Sequence, residues 1–131
     1  MFAATALVFA SCKKEETTEE PTPTPAPKVE FTITNPTDGG TYHLGDTVWV
    51  NVHIDYATEL HGYEASIVNT SNSDEVVWES HLHDHGDMFM VEGFWVNNVT
   101  MHSDMELRIE AFIDHDGNSE TETVHFHCHP M

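Results

Sequence analysis

The chain has 131 residues, enough for one small domain, and 23 acidic against four basic residues give it a formal charge of −19 with its 11 histidines neutral. Such a surface repels nucleic acid and anionic lipid and favours cations and basic partners, so DNA and RNA binding are excluded and multi-domain mechanisms have no room. Three of the basic residues, Lys13, Lys14 and Lys28, lie in an N-terminal arm, leaving Arg108 as the one permanent cation from Val29 onward.

Residues Phe2 to Ala10 are apolar but too few to span a membrane. Phe9-Ala10-Ser11 then precede Cys12 as a lipobox would, which predicts a lipoprotein signal peptide over residues 1–11 and Cys12 as the lipidated N-terminus of the mature chain, its anchor to a membrane. Residues 12–28 are rich in Glu, Thr and Pro, with no apolar period to bury, and read as a stiff tether of about 3.1 Å per residue in polyproline II geometry. The run Cys12-Lys13-Lys14-Glu15-Glu16 resembles the export signal of surface lipoproteins in Bacteroidota-type bacteria. That resemblance implies an outer-membrane lipoprotein of the cell envelope, exposed at the surface.

From Val29 the pattern alternates with period two, as half-buried strands do. Val29, Phe31 and Ile33 form one face of a first strand, broken by Asn35-Pro36-Thr37-Asp38-Gly39-Gly40. Val48, Val50, Val52 and Ile54 alternate with Trp49, Asn51 and His53 in a second, and Tyr63, Ala65 and Ile67 mark a third. Ser71-Asn72-Ser73-Asp74 turns the chain into a fourth, Val76 to His83; Met88 to Val96 is a fifth. Met105, Leu107, Ile109, Ala111 and Ile113 face inward on a sixth, and after Asp116-Gly117-Asn118 the last strand turns Val124, Phe126 and Cys128 inward. About seven short strands at regular spacing predict an all-β fold, an antiparallel β-sandwich over residues 29–131. The stretch from Ile33 to Val48, with Pro36, Gly39, Tyr42, Gly45 and Asp46 at characteristic positions, resembles the start of bacterial immunoglobulin-like domains. It implies an immunoglobulin-like sandwich and says nothing of chemistry.

The histidines carry the chemistry. On a strand, His81 and His83 share a face with roughly 6.6 Å between Cα atoms, so they can clamp one ion, completed by His85 once the chain bends at Gly86-Asp87 or by a ligand from another strand. A second row, His125, His127 and His129, stands opposite Val124, Phe126 and Cys128. Neutral imidazoles in such rows suit zinc or copper. The competing readings are a polar face merely rich in histidine and a pH-sensing surface. Asp55, Glu59, His61, Asp84 and His115 are placed in loops from which further ligands could come.

His81-Leu82-His83-Asp84-His85-Gly86-Asp87 is similar to the H-x-H-x-x-G-D segment of Cu,Zn superoxide dismutases, which implies His81 and His83 as copper ligands; the glycine-rich segment bearing that family's active-site arginine is absent. His127-Cys128-His129 is similar to the H-C-H core of multicopper oxidases, whose three cupredoxin domains have no room here. Cys128 is expected in the core, since Cys128, His129 and Met131 are too close in sequence for a blue-copper site. Asp114 to Glu120 has some features of a calcium loop, but the glycine is misplaced for an EF-hand and the segment reads as a hairpin turn. The expectation is a lipid-anchored domain that binds zinc or copper for capture, buffering or delivery. A structural or adhesive surface module is the alternative, and a copper redox enzyme a weaker one.

Overall fold

The computed structural model describes residues 28–131; the predicted signal peptide, Cys12 and the predicted tether up to Pro27 lie outside the described residues. Eight strands follow in order: β1 Glu30–Asn35, β2 Gly40–Tyr42, β3 Thr47–Leu60, β4 Tyr63–Asn69, β5 Glu75–Leu82, β6 Gly86–Val96, β7 Ser103–Phe112 and β8 Ser119–Cys128. They form a three-stranded sheet, β1-β3-β6, and a five-stranded sheet, β2-β8-β7-β4-β5. Neighbours are antiparallel except β2, which runs parallel to the end of β8. With β1, β3 and β6 in one layer and β4, β7 and β8 in the other, this is the strand distribution of an immunoglobulin-like sandwich.

The alternation read from the sequence builds the core. Val48, Val50, Val52 and Ile54 of β3 pack with Phe89, Val91 and Trp95 of β6, and from the facing sheet come Ala65, Ile67, Met105, Leu107, Ile109, Val124, Phe126 and Cys128. Tyr63 on β4 and Phe89 on β6 meet across the layers with ring centroids 5.8 Å apart. Gly93 on β6 leaves space that the Trp78 indole of β5 fills; a Cβ there would lie 2.5 Å from the ring.

Three details differ from the expectation. An eighth strand, β2, exists because Gly40–Tyr42 pairs with Phe126–Cys128, and three residues are too few to show a period. β3 runs on to Leu60, where its register with β6 slips between Asp55 and Leu60 and the alternation fades. β5 stops at Leu82, so His83 is not a strand residue.

Leu107 is fully buried, whereas Glu79 is exposed on the outer face of β5. Leu107→Ala should therefore cost about 2–5 kcal/mol in urea unfolding, and Glu79→Gln should stay within about 0.5 kcal/mol. Equal losses would mean that the faces of this sheet are misassigned.

Candidate metal centre

The sandwich gathers histidines at its two ends. Among the described residues, two groups of three could hold a metal ion, His61 with His85 and His115, and His102 with His127 and His129; in each, the candidate ligand atoms lie within 4.8 Å of one another. Tetrahedral zinc with Zn–N bonds of about 2.0–2.1 Å holds its nitrogens roughly 3.4 Å apart, so small side-chain adjustments suffice. The groups flank opposite ends of β7 and β8. β8 has ten residues, so roughly 30 Å separates them.

The first cluster is assembled from three turns. His61 follows fully buried Leu60; its N–H donates to Phe112 O (2.8 Å), and the Phe112 N–H donates to Gly62 O (3.0 Å), which pins the β3–β4 turn to the end of β7. Gly62 has φ +123°, and a Cβ there would run into Leu82 O, so only glycine allows this turn to lie against the end of β5. Beyond Leu82 the chain bends, and the Asp84 carboxylate accepts the His85 N–H at 2.8 Å. His115 is presented by the β7–β8 turn, in which Asp114 accepts from the Asn118 side-chain amide (2.7 Å) and the Asp116 N–H (2.8 Å). Those hydrogen bonds hold the Asp114 carboxyl below its ordinary range, and nearby His61 adds to the effect.

His61 Nδ1 and His115 Nε2 are 2.9 Å apart, a hydrogen bond in which two ring nitrogens share one proton and whose proton a bound metal ion would replace. The His85 ring centroid lies 4.5 Å from that of His61, and its Nδ1 is 3.2 Å from Glu59 Oε1. A carboxylate on one ring nitrogen fixes the tautomer that offers the other, Nε2, to a metal.

The second cluster repeats this chemistry at the other end. His127 Nδ1 lies 3.0 Å from Asp104 Oδ1, which leaves its Nε2 available, and His129 Nδ1 lies 2.9 Å from His102 Nδ1. The backbone beneath is fixed: the His129 N–H donates to Tyr42 O (2.8 Å), and the buried Asn97 amide donates to His129 O (2.9 Å). Desolvation, then the neighbouring His127, His102 and His43, lower the His129 pKa from its ordinary value of 6.5 and keep the ring in the neutral, metal-binding form.

Of the residues singled out in the sequence, His85 joins the first cluster, and His127 and His129 join the second. His81, His83 and His125 join neither. His81 lies opposite Glu64 in the β4–β5 ladder, and His83 is exposed in the loop after β5. His125 Nε2 is 3.2 Å from Glu106 Oε2, on the outer face of the sheet. The sequence offers His61 and His115 as loop residues able to add ligands, and both join the first cluster; nothing in it singles out His102, since a lone histidine between β6 and β7 has no spacing to flag it. The Cys128 side chain is fully buried, and burial, with the Asp46 carboxylate nearby, pushes its thiol up to about 12, so Cys128 is a core residue beside the cluster and offers it no thiolate.

Fold and clusters together define an all-β sandwich domain with a candidate metal site at each end. Comparison with known protein families gives no match to the chain, and no curated protein is significantly similar to it.

Because the folded-state pKa of His129 is lowered, the unfolded chain holds more protons between that value and 6.5. This residue therefore makes stability rise with pH across that window, and the contribution is lost on acidification. In an NMR titration of the metal-free protein His129 should titrate below 6.5, and removing a neighbour in His102→Ala should move it upward. A value at or above 6.5 in the wild type would contradict the crowding described here.

Proposed function

We propose that the protein is a lipid-anchored cell-envelope protein that captures, buffers or delivers a divalent transition metal, zinc or copper, through its two histidine clusters. The observation that carries this reading is the convergence of three imidazoles at each end of the sandwich, drawn from three turns in the first cluster and from two segments in the second, with one in each facing a carboxylate: Glu59 on His85 and Asp104 on His127. The charge of −19 supports it, since an acidic surface raises the local concentration of cations. Anchoring rests on Cys12 and the Pro-rich stretch behind it. The Val29 N–H donates to Glu120 at 3.3 Å near the start of β8, so Val29 lies at the end that carries the first cluster.

An adhesive module is the second reading. It rests on the outer face of the three-stranded sheet, where Trp49 and Phe94 are more than half exposed with ring centroids 5.4 Å apart, Val96 adjoins them, and Met88 and Met90 stand exposed beyond Glu92.

Metal analysis of protein purified without an affinity tag separates the two. The metal reading expects two ions per chain, one lost in His61→Ala and the other in His102→Ala, with additive effects because the sites share no partner. Binding should weaken as pH falls through about 6.5, where imidazole protonates. No ion after reconstitution with zinc or copper would leave only the adhesive module. For the anchor, Cys12→Ala should release soluble, folded protein or leave the precursor unprocessed; wild-type protein confined to a lipid-free soluble fraction would overturn the lipoprotein assignment.

A further inference from the structure

A seventh histidine stands beside the second cluster. His43, in the turn between β2 and β3, stacks on His129 with ring centroids 5.2 Å apart and planes 19° from parallel. Its Nδ1 lies 3.2 Å from Met131 O. A carbonyl oxygen can only accept, so Nδ1 carries the proton and Nε2 holds the lone pair, the tautomer required of a metal ligand. The side chain is exposed and outside the group whose ligand atoms already lie within 4.8 Å, so a turn about its own side-chain torsions, on the face of the His129 ring, is needed to bring Nε2 in.

The backbone beneath is already joined. Asn97, 1% exposed, donates its N–H to Asp46 O (2.9 Å), accepts the Gly45 N–H (2.9 Å), and donates its side-chain amide to His129 O (2.9 Å). One buried residue thus ties the turn that carries His43 to the segment that carries His129. Within that turn the Asp46 carboxylate accepts the His43 N–H at 2.8 Å, so the fourth imidazole comes from a fixed loop.

We propose that His43 is the fourth ligand of the second cluster, which is thereby a closed four-imidazole centre, while the first cluster remains a three-imidazole site with an open coordination position. This inference rests on the metal reading above and divides its labour. Closed tetrahedral sites hold their ion and staple the chain, whereas a three-ligand site keeps a place for water or an incoming ligand. The second centre accordingly fastens the 43–46 turn and residues 129–131 to the β6–β7 loop. The first, at the end where Val29 lies, is the site of exchange.

The test uses zinc as the probe and His61→Ala as the background, so that only the second centre binds. Competition against a chromophoric chelator should give one tight zinc per chain in His61→Ala. In His61→Ala/His43→Gln, whose glutamine still donates to Met131 O but binds zinc poorly, affinity should fall at least about tenfold, the loss seen when even an orienting partner is removed. Zinc should also shift the His43 ring resonances and slow amide exchange over 43–46 and 129–131. Equal zinc affinity with and without His43 would overturn the four-ligand assignment and leave a triad. Failure of His61→Ala itself to bind zinc would overturn the metal reading of this cluster, a separate outcome.

Discussion

The antiparallel pairing of β7 with β8, from Ser103 opposite Cys128 to Phe112 opposite Ser119, is the constraint on which the rest of the molecule hangs. It places Met105, Leu107 and Ile109 on the core face beside Val124 and Phe126, and it fixes where the flanking histidines emerge. Four of the six cluster members belong to this one hairpin: His102 precedes β7, His115 sits in the connecting turn, His127 lies near the end of β8, and His129 follows it. A slip of one residue would turn every inward side chain outward and carry His127 away from Asp104, its partner across the ladder. The core that stabilises the sandwich and the geometry of both clusters are thus set by the same register.

The strands legible in the sequence were those whose side chains pay for period two on both faces, as Val48 to Ile54 and Met105 to Ala111 do. β2 was not legible because its three residues are held by β8 and not by any pattern of their own. The histidine chemistry was visible as composition, but its grouping was only partly so. Period two assigned His81 and His83 to one clamp, whereas β5 ends at Leu82, where the close approach of Gly62 leads into the bend that turns His85 toward His61. His61 and His115 are 54 residues apart, and no local spacing relates them; only the topology of the end loops does. His102 becomes a candidate once β7 is known to begin beside the end of β8.

Electrostatics favours the same ends. Arg108, the one guanidinium of the chain, is already committed to Glu106 at 2.8 Å and Asp74 at 3.6 Å on the outer face of the five-stranded sheet. It is therefore engaged away from Glu59 and Asp104, whose carboxylates face imidazoles instead. In each cluster an imidazole is backed by a carboxylate, a pair that would complement a cation without placing a naked carboxylate against it. A metal held by imidazoles would be exchangeable by protonation, which one held purely by carboxylates would not be at neutral pH.

Cys128 gives the domain a built-in reporter. It is the only cysteine among the described residues, its side chain has no exposed surface, and it sits on β8 with its backbone opposite Ser103 on one side and Tyr42 on the other. A thiol reagent reaches it only when β8 parts from the sandwich, so alkylation kinetics measure the opening of that strand without an engineered label. Since His127 and His129 flank the same residue, the modification rate also registers whatever fastens or loosens the second cluster, read from inside the core.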